Sequence, residues 1–277
     1  MRITMRLGIG TYTFPWAIGV RGYPPENPMN AKDLLKKANA LDVDVVQICD
    51  NLPLYKMDEN ELGNLSAMSN DLGISIEVGT VGIDTTNILN YLNIAMLLRA
   101  RILRTTLHNY DYTPSIEQSI VAIGKVLPIF AESDVSIALE NHERYKSRDL
   151  ANLVNKIDSR YVGICLDTVN SLGALEGTEQ VVKELARYTL SLHVKDFDIV
   201  RVDNKMGFTI VGRPVGEGRL DVKWLFDRLK TEGKDPNAIL ELWTPFSETI
   251  DKTIAMEDDW AKRSIRFLKE MQDEYGK

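Results

Sequence analysis

The sequence predicts an α/β protein that folds as a single (β/α)8 barrel. Eight short runs rich in β-branched residues recur along the 277 residues, and segments with helical spacing separate them. No linker rich in Pro, Gly or Ser interrupts this alternation. A strand followed by a helix, repeated about eight times, is typical of a closed parallel barrel. We therefore assign residues 1–277 to one domain, with its active site at the C-terminal ends of the strands.

The predicted strands and helices alternate along the chain. The strands are expected at residues 6–11, 43–48, 74–79, 102–107, 135–140, 162–167, 190–194 and 238–242. The helices are expected at residues 31–40, 60–72, 87–100, 115–133, 148–157, 177–188, 221–231 and 258–271. Small polar residues open several of these helices, such as Ser115 with Gln118 three positions later. Such residues satisfy the free amides at a helix N-terminus.

An open doubly wound sheet is the competing arrangement. That fold usually carries a glycine-rich phosphate turn after its first strand. Residues 8–13 read Gly-Ile-Gly-Thr-Tyr-Thr and lack the third glycine of that fingerprint. The pattern therefore favours the barrel.

Composition and charge exclude several classes of protein. The chain has 44% hydrophobic and 26% charged residues, and 40 acidic against 33 basic residues give a net charge of −7. An acidic chain is a poor partner for nucleic acid, since such binding needs a basic face. No run approaches the ~18 apolar residues of a membrane span, and the N-terminus lacks the apolar stretch of a secretory signal. Cys49 and Cys165 lie in apolar runs, which favours a reducing compartment. We expect a cytoplasmic protein without a membrane or nucleic-acid partner. The sequence leaves open whether the chain forms a homo-oligomer.

Acidic residues and a histidine end the last four predicted strands. Glu140, Asp167 and Glu241 close the fifth, sixth and eighth strands, and His193 closes the seventh. Because side chains alternate along a strand, the parity of the fifth, seventh and eighth runs is consistent with Glu140, His193 and Glu241 converging on the barrel axis. A lone acidic strand end is usually a helix cap or a surface charge, and a lone histidine is usually a core residue. Four such residues on consecutive strands favour a shared site.

Three carboxylates in one barrel mouth predict a bound cation. Without compensation they repel one another, and at least one would take up a proton. A divalent ion removes this repulsion. Oxygen ligands with a single imidazole suit Mn²⁺ or Mg²⁺ best, with Co²⁺ or Zn²⁺ as alternatives, because neither cysteine is placed to build a soft site.

These strand ends resemble those of a known family. Residues 137–142, 163–171, 192–196 and 239–242 are similar to the xylose isomerase-like TIM barrel superfamily of sugar phosphate isomerases and epimerases. Residues 214–221, Pro-Val-Gly-Glu-Gly-Arg-Leu-Asp, resemble the P-x-G-x-G-x-x-D segment that its members carry after strand seven. The resemblance covers essentially the whole chain in order and spacing.

The resemblance implies one divalent ion bound by Glu140, Asp167, His193 and Glu241. In the family's ketose epimerases the two glutamates also act as an acid/base pair on opposite faces of the substrate. An ion that holds a carbonyl and the adjacent hydroxyl stabilises an enediolate, and a nearby carboxylate moves the proton. The leading expectation is an isomerase or epimerase of a small keto-sugar or sugar-acid derivative, with Glu140 and Glu241 as catalytic residues.

The substrate-contacting positions depart from the family's epimerases. Asn170 stands where they commonly have a histidine, and Lys146 stands where they often have a glutamate. Lys195 shares a strand face with His193 and is expected to reach a substrate oxygen, unless it forms a surface ion pair with Asp196. The expected substrate-binding residues are His142, Glu143, Asn170, Lys195, Arg213 and Trp16.

Three other functions are weighed against the epimerase. A lyase on the same scaffold would form the same enediolate by losing CO₂ from an oxo-sugar acid, or would expel water. Some relatives with a similar first loop and a Glu-Asn-His-Glu strand end are decarboxylases of branched oxo-sugar acids. The superfamily's abasic-site endonucleases need a histidine-rich trinuclear zinc site, which the three histidines of this chain cannot furnish. A non-catalytic sugar-binding module requires that no ion is bound.

Overall fold

The computed structural model describes residues 5–276 and has a closed barrel at its centre. Eight parallel strands form the barrel, and two further strands form a separate antiparallel pair. The strands are Leu7–Gly10 (β1), Val45–Ile48 (β2), Ser75–Gly79 (β3), Ile102–Thr105 (β4), Ser136–Glu140 (β5), Val162–Asp167 (β6), Thr189–Val194 (β7), Asp196–Arg201 (β8), Phe208–Arg213 (β9) and Asn237–Leu240 (β10).

Pairing between the first and last barrel strands closes the sheet. β1 pairs in parallel with β2 on one side and with β10 on the other, so that Ile9 lies opposite both Val46 and Leu240. An open doubly wound sheet would leave β1 without one of these neighbours. The predicted (β/α)8 barrel is therefore confirmed.

Helices separate the barrel strands and cover the outside of the barrel. They are Pro15–Ile18 (α1), Ala31–Leu41 (α2), Glu59–Asp71 (α3), Thr85–Leu97 (α4), Ile116–Glu132 (α5), Ser147–Ile157 (α6), Thr178–Leu185 (α7), Val222–Thr231 (α8) and Ile250–Gly276 (α9). Ser115 caps α5 as predicted, because its hydroxyl accepts from the Gln118 amide at 3.2 Å and the Gln118 side chain accepts from the Ser115 amide. Within residues 5–276 no helix combines the length and apolarity needed to cross a membrane.

The last helix begins earlier than the sequence predicts. α9 starts at Ile250, whereas the expected start was residue 258. Thr249 is the signal that was missed: its hydroxyl accepts from the Lys252 amide at 3.2 Å, and its carbonyl accepts from the Thr253 amide at 3.0 Å. A threonine in this position satisfies the free amides of the first turn.

The antiparallel pair β8 and β9 has no counterpart among the predicted strands. Its strands pair from Asp196 with Arg213 to Arg201 with Phe208. The intervening turn contains Lys205 and Gly207, both with positive φ. Alternation of polar and apolar residues in 196–201, followed by a turn with glycine, is the hairpin signal that the sequence carried.

The strands place an apolar layer outside the barrel and a polar column inside it. Ile137 and Leu139 of β5 belong to the buried core, as the parity of that strand predicted. Inside the barrel lie Gln47, Glu77 and Ser191, which are joined by hydrogen bonds and almost fully buried. This polar column continues upward to the C-terminal ends of the strands.

Candidate active site

A cavity of about 430 Å³ opens at the C-terminal ends of the barrel strands. This is the end at which barrel enzymes build their active sites. A cavity of this size suits a small-molecule ligand. Polar and charged side chains from most of the barrel strands line its wall.

The four strand-end residues converge at the base of this cavity. The Nδ1 atom of His193 lies 3.2 Å from Glu241 Oε1, 3.6 Å from Glu140 Oε1 and 3.8 Å from Asp167 Oδ2. All four side chains are buried. Glu140 and Asp167 are the last residues of β5 and β6, and Glu241 follows the last residue of β10. Closure of the barrel brings these four strands around one point.

The donor atoms at this point fit a divalent cation. Three buried atoms, His193 Nδ1, Asp167 Oδ2 and Glu241 Oε1, make no hydrogen bond within residues 5–276. Ligand atoms of Glu140, Asp167 and His193 lie within 4.8 Å of one another, as residues that can hold a metal ion do. Buried polar atoms without hydrogen bonds are costly, and a cation here would satisfy His193 Nδ1 and Glu241 Oε1 and would share Asp167 Oδ2 with Lys195.

Arg104 is a functional residue that the sequence reasoning missed. Its guanidinium forms an ion pair with Glu140, and its Nη1 lies 3.4 Å from Asp50 Oδ1. Asp50 also accepts a hydrogen bond from the Tyr12 hydroxyl at 3.0 Å. Arg104 is 4% exposed although it lies on the cavity wall. An arginine within an apolar strand was the available signal, since a buried guanidinium requires an acidic partner.

The Arg104 ion pair fixes the charge of Glu140. Burial opposes ionisation of Glu140, but the guanidinium overcomes this effect and lowers the pKa of the carboxyl to about 2. Glu140 is therefore a carboxylate throughout the neutral range. A carboxylate held in this way is a good ligand and a weak proton acceptor.

Lys195 supplies a second buried cation at the base of the cavity. Its Nζ lies 2.9 Å from Asp167 Oδ2 and 2.9 Å from Glu241 Oε2. Both contacts are ion pairs between buried groups. Burial opposes protonation of Lys195, but the two carboxylates raise its pKa. Lys195 also lies 5.1 Å from the centre of the Trp243 ring.

The alternative of a surface ion pair between Lys195 and Asp196 is wrong. Asp196 is buried, and its carboxylate accepts from the amides of Phe197, Gly216, Gly218 and Leu220 at 2.8 to 3.0 Å. It therefore anchors the glycine-containing segment 214–221 behind the site. A Cβ on Gly218 would lie 2.2 Å from Asp196 Oδ1, which explains the glycine at that position.

The charges at the base of the cavity leave room for two positive charges. Asp50, Glu140, Asp167 and Glu241 carry four negative charges, and Arg104 and Lys195 supply two positive ones. With a neutral His193, one divalent ion would balance this group. In its absence the carboxylates raise the pKa of His193, although burial opposes protonation of its ring.

Three further expected substrate-binding residues line the cavity. Asn170 donates to Glu140 Oε1 at 2.7 Å and accepts from Lys195 Nζ at 3.2 Å. His142 and Glu143 lie nearer the rim, where His142 contacts Glu143 and packs edge-on against His108 at 5.3 Å between ring centres. Burial lowers the pKa of His108 to about 4, so that its imidazole is neutral at pH 7.

Two expected substrate-binding residues do not line this cavity. The Trp16 indole donates to the Thr244 carbonyl at 2.7 Å and packs against Tyr23 and Phe246. The Trp16 backbone amide donates to Glu257 of α9 at 3.0 Å, so that the first loop is fixed by packing. Arg213 ends β9 and faces Asp198, with Nη2 3.6 Å from Oδ2. Contacts within the first loop and the hairpin therefore hold both side chains outside the lining of this cavity.

The profile of the xylose isomerase-like TIM barrel family matches residues 35–271. The chain belongs to this family. The matched range contains Glu140, Asp167, His193 and Glu241, and the polar mouth described above lies at the C-terminal end of the family's barrel.

Named relatives of the family include sugar-processing enzymes. The 3-oxo-isoapionate decarboxylase of Pectobacterium atrosepticum is 33% identical over 264 residues, which cover 95% of each chain. D-psicose 3-epimerase of Clostridium cellulolyticum H10, solved with D-tagatose, superposes with a TM-score of 0.74 at 16% identity and covers 97% of this chain and 99% of its own. A family member from Mycobacterium smegmatis, solved in complex with magnesium, gives a TM-score of 0.67 at 13% identity and covers 95% of this chain and 97% of its own. The two structures share the fold, and the decarboxylase is similar in sequence as well.

Proposed function

We propose that this chain is a divalent-metal-dependent decarboxylase of a 3-oxo sugar acid. The observation that carries the proposal is that each of the two buried glutamates at the base of the cavity is paired with a buried cation, Glu140 with Arg104 and Glu241 with Lys195. The similarity to a 3-oxo-isoapionate decarboxylase over 95% of the chain supports the same reaction class.

Epimerisation requires two acid/base groups on opposite faces of the substrate. One must remove a proton from carbon, and a paired carboxylate is a weak acceptor because its cation stabilises the ionised form. In this chain the Arg104 ion pair lowers the pKa of Glu140 and so holds it in that form, and Lys195 Nζ lies 2.9 Å from Glu241 Oε2. Their arrangement supports ion binding better than the proton exchange of an epimerase, which the sequence placed first.

Decarboxylation of a 3-oxo acid does not begin with proton removal. The bond between the carboxyl carbon and C2 breaks, CO₂ leaves, and the electron pair moves toward the C3 carbonyl oxygen. A divalent ion held by Glu140, Asp167, His193 and Glu241 would polarise that carbonyl and stabilise the charge developing on it. Once a bound ion shared the charge of Asp167 and Glu241, which now hold the Lys195 proton, Lys195 would give a proton from Nζ to C2 and recover one from solvent.

The remaining cavity residues bind the sugar part in this proposal. Asn170 and Lys195 face the base of the cavity, and His142 and Glu143 face the rim, where they can contact hydroxyl groups. The ion is proposed to be Mn²⁺ or Mg²⁺, with Co²⁺ or Zn²⁺ as alternatives, because the ligands are carboxylates and one imidazole. We further propose that residues 1–277 act as one domain.

The test is turnover of a panel of 3-oxo sugar acids by purified protein. Protein treated with EDTA and then reconstituted with Mn²⁺ should release CO₂ and give a product lighter by that mass. Glu140→Gln and Asp167→Asn should abolish both turnover and Mn²⁺ binding. Glu117→Gln, an exposed substitution in the first turn of α5, is the matched control and should leave both unchanged.

Isotope exchange separates the two reaction classes. Deuterium uptake from D₂O next to the carbonyl of a ketose, without loss of CO₂ from any acid in the panel, would show an epimerase and reject the decarboxylase. Turnover that persists in EDTA would reject the metal dependence.

A further inference from the structure

A buried chain of hydrogen bonds runs from His193 down the barrel axis. His193 Nε2 lies 2.7 Å from Gln47 Oε1, and Gln47 Nε2 donates to Glu77 Oε2 at 2.8 Å. The three residues are 0 to 3% exposed. Gln47 of β2 and Glu77 of β3 are direct partners in the sheet register, so that the barrel itself holds them side by side.

The Glu77 carboxylate determines the orientation of the Gln47 amide. Ser191 Oγ donates to Glu77 Oε2 at 3.0 Å, and Asn237 Nδ2 donates to Oε1 at 2.6 Å. Glu77 thus acts as the acceptor for three neighbours, and Gln47 must turn its NH₂ group toward it. The carbonyl oxygen of Gln47 then faces His193, where it also accepts from Cys49 Sγ at 3.2 Å.

We infer that Glu77, acting through Gln47, sets the tautomer of His193 for ion binding. A carbonyl oxygen opposite Nε2 requires the ring proton on Nε2. The lone pair of Nδ1 then faces Glu140, Asp167 and Glu241. Gln47 and Glu77 are positioning residues, and their role rests on the proposed function of His193 as a ligand.

In the opposite tautomer Nδ1 would carry the proton and offer no lone pair to an ion. Nδ1 lies 3.2 Å from Glu241 Oε1, so a proton on Nδ1 would be within hydrogen-bond reach of that carboxylate, and the two side chains would satisfy each other. Gln47 opposes that arrangement because Nε2 would then present a lone pair to its carbonyl oxygen. The hydrogen-bonded chain from Glu77 through Gln47 to His193, called the relay below, therefore keeps Nδ1 of His193 available as an ion ligand.

Substitutions along the relay separate this role from packing. Gln47→Met keeps the length of the side chain and removes its carbonyl. We expect it to weaken Mn²⁺ binding, measured by calorimetry without substrate, by about 10- to 100-fold. Ile48→Val, a neighbouring core substitution on the same strand, is the matched control and should change the affinity less than about 3-fold.

A double variant that exchanges the side chains of Gln47 and Glu77 should restore the Mn²⁺ binding that a single substitution weakens. Glu77→Gln alone frees the amide of Gln47 to turn over, and Mn²⁺ binding should weaken. Gln47→Glu combined with Glu77→Gln again places an acceptor opposite His193 Nε2 and a donor below it, so that binding should return to within about 3-fold of wild type. Failure of the swapped pair to restore binding would overturn the relay, and the pair also decides the matter if Gln47→Met does not fold.

Histidine ring spectra report the tautomer directly. The sequence has three histidines, so ¹⁵N-histidine labelling gives few signals. In Zn²⁺-loaded wild type the His193 proton should be on Nε2 and exchange slowly, and it should be lost to fast exchange in Gln47→Met but not in Ile48→Val. An unchanged Nε2 proton together with unchanged Mn²⁺ affinity in Gln47→Met would refute the inference. Should wild type bind no divalent ion, the proposed function fails, and the relay is then decided in ion-free protein at alkaline pH, where the neutral His193 ring should carry its proton on Nε2 in wild type but not in Gln47→Met.

Discussion

Removal of Arg104 tests whether its buried ion pair with Glu140 stabilises the folded barrel. Arg104→Met keeps most of the side-chain volume and leaves Glu140 as a buried carboxylate without its guanidinium. Arg104 is 4% exposed and the Glu140 side chain is 1% exposed. Breaking a buried pair in this way costs about 3–5 kcal/mol. For a chain of this size that loss lowers Tm by roughly 6–20 °C.

The pH dependence of this loss gives a second criterion. The pKa of Glu140 is lowered from 4.5 to about 2, so its contribution to stability is fully present above pH 4.5 and is lost as pH falls toward 2. Arg104→Met removes most of that contribution, because burial alone raises the pKa of the carboxyl. The difference in unfolding free energy between wild type and variant should therefore be largest near neutral pH and shrink on acidification.

The measurement is urea and thermal unfolding followed by circular dichroism, with EDTA present so that bound ions do not contribute. Arg101→Met is the matched control: its ion pair with Asp134 is exposed, at 70% and 63% of the two side chains, and is worth less than about 1 kcal/mol. An Arg104→Met protein as stable as Arg101→Met at pH 7, or a difference that stays constant down to pH 3, would refute this account of the mouth.

Three further predictions concern single residues. Gly218→Ala should destabilise the fold by at least about 2 kcal/mol, because its Cβ would lie 2.2 Å from Asp196 Oδ1. Gly124→Ala in α5 is the control: it has open space around it and should stabilise the fold by about 0.5–1 kcal/mol. Equal effects of the two substitutions in chemical unfolding would contradict this. Burial raises the pKa of Glu257 from 4.5 to about 8 in the folded protein, so the free energy of unfolding falls as pH rises through that range. Glu257→Gln should accordingly have a flatter stability profile between about pH 5 and 8, and thermal unfolding curves parallel to wild type would count against it. Lys195→Met should lower CO₂ release about 10²- to 10⁴-fold while Mn²⁺ binding is kept, and a small effect on turnover would remove Lys195 as proton donor.

The fold and the ion ligands could be predicted from sequence because both follow from local periodicity. Glu140 and Asp167 each end an apolar run with two-residue alternation, which determines both their place along the barrel and the direction of their side chains. The closed parallel sheet then requires these strand ends to meet.

The rest of the site depends on distant contacts that no local pattern carries. Arg104 meets Glu140 and Asp50 only after β2, β3, β4 and β5 have paired, and the strand around it does not indicate which acidic residues these partners are. Trp16 is expected near the substrate because its loop follows β1, but its packing against Phe246, 230 positions away, cannot be predicted from that loop. Such side chains are placed by tertiary structure and not by their own segment.

Closure of the barrel through β1 and β10 has a consequence for biosynthesis. Ile9 pairs with Leu240, which is synthesised 231 residues later. Until residue 240 has been synthesised, β1 and β7 each keep one open strand edge, and such edges invite pairing with other chains. Contacts this distant in sequence also slow folding. The nascent chain is therefore expected to need protection from aggregation until its last strand is made, and premature termination before β10 should give insoluble fragments.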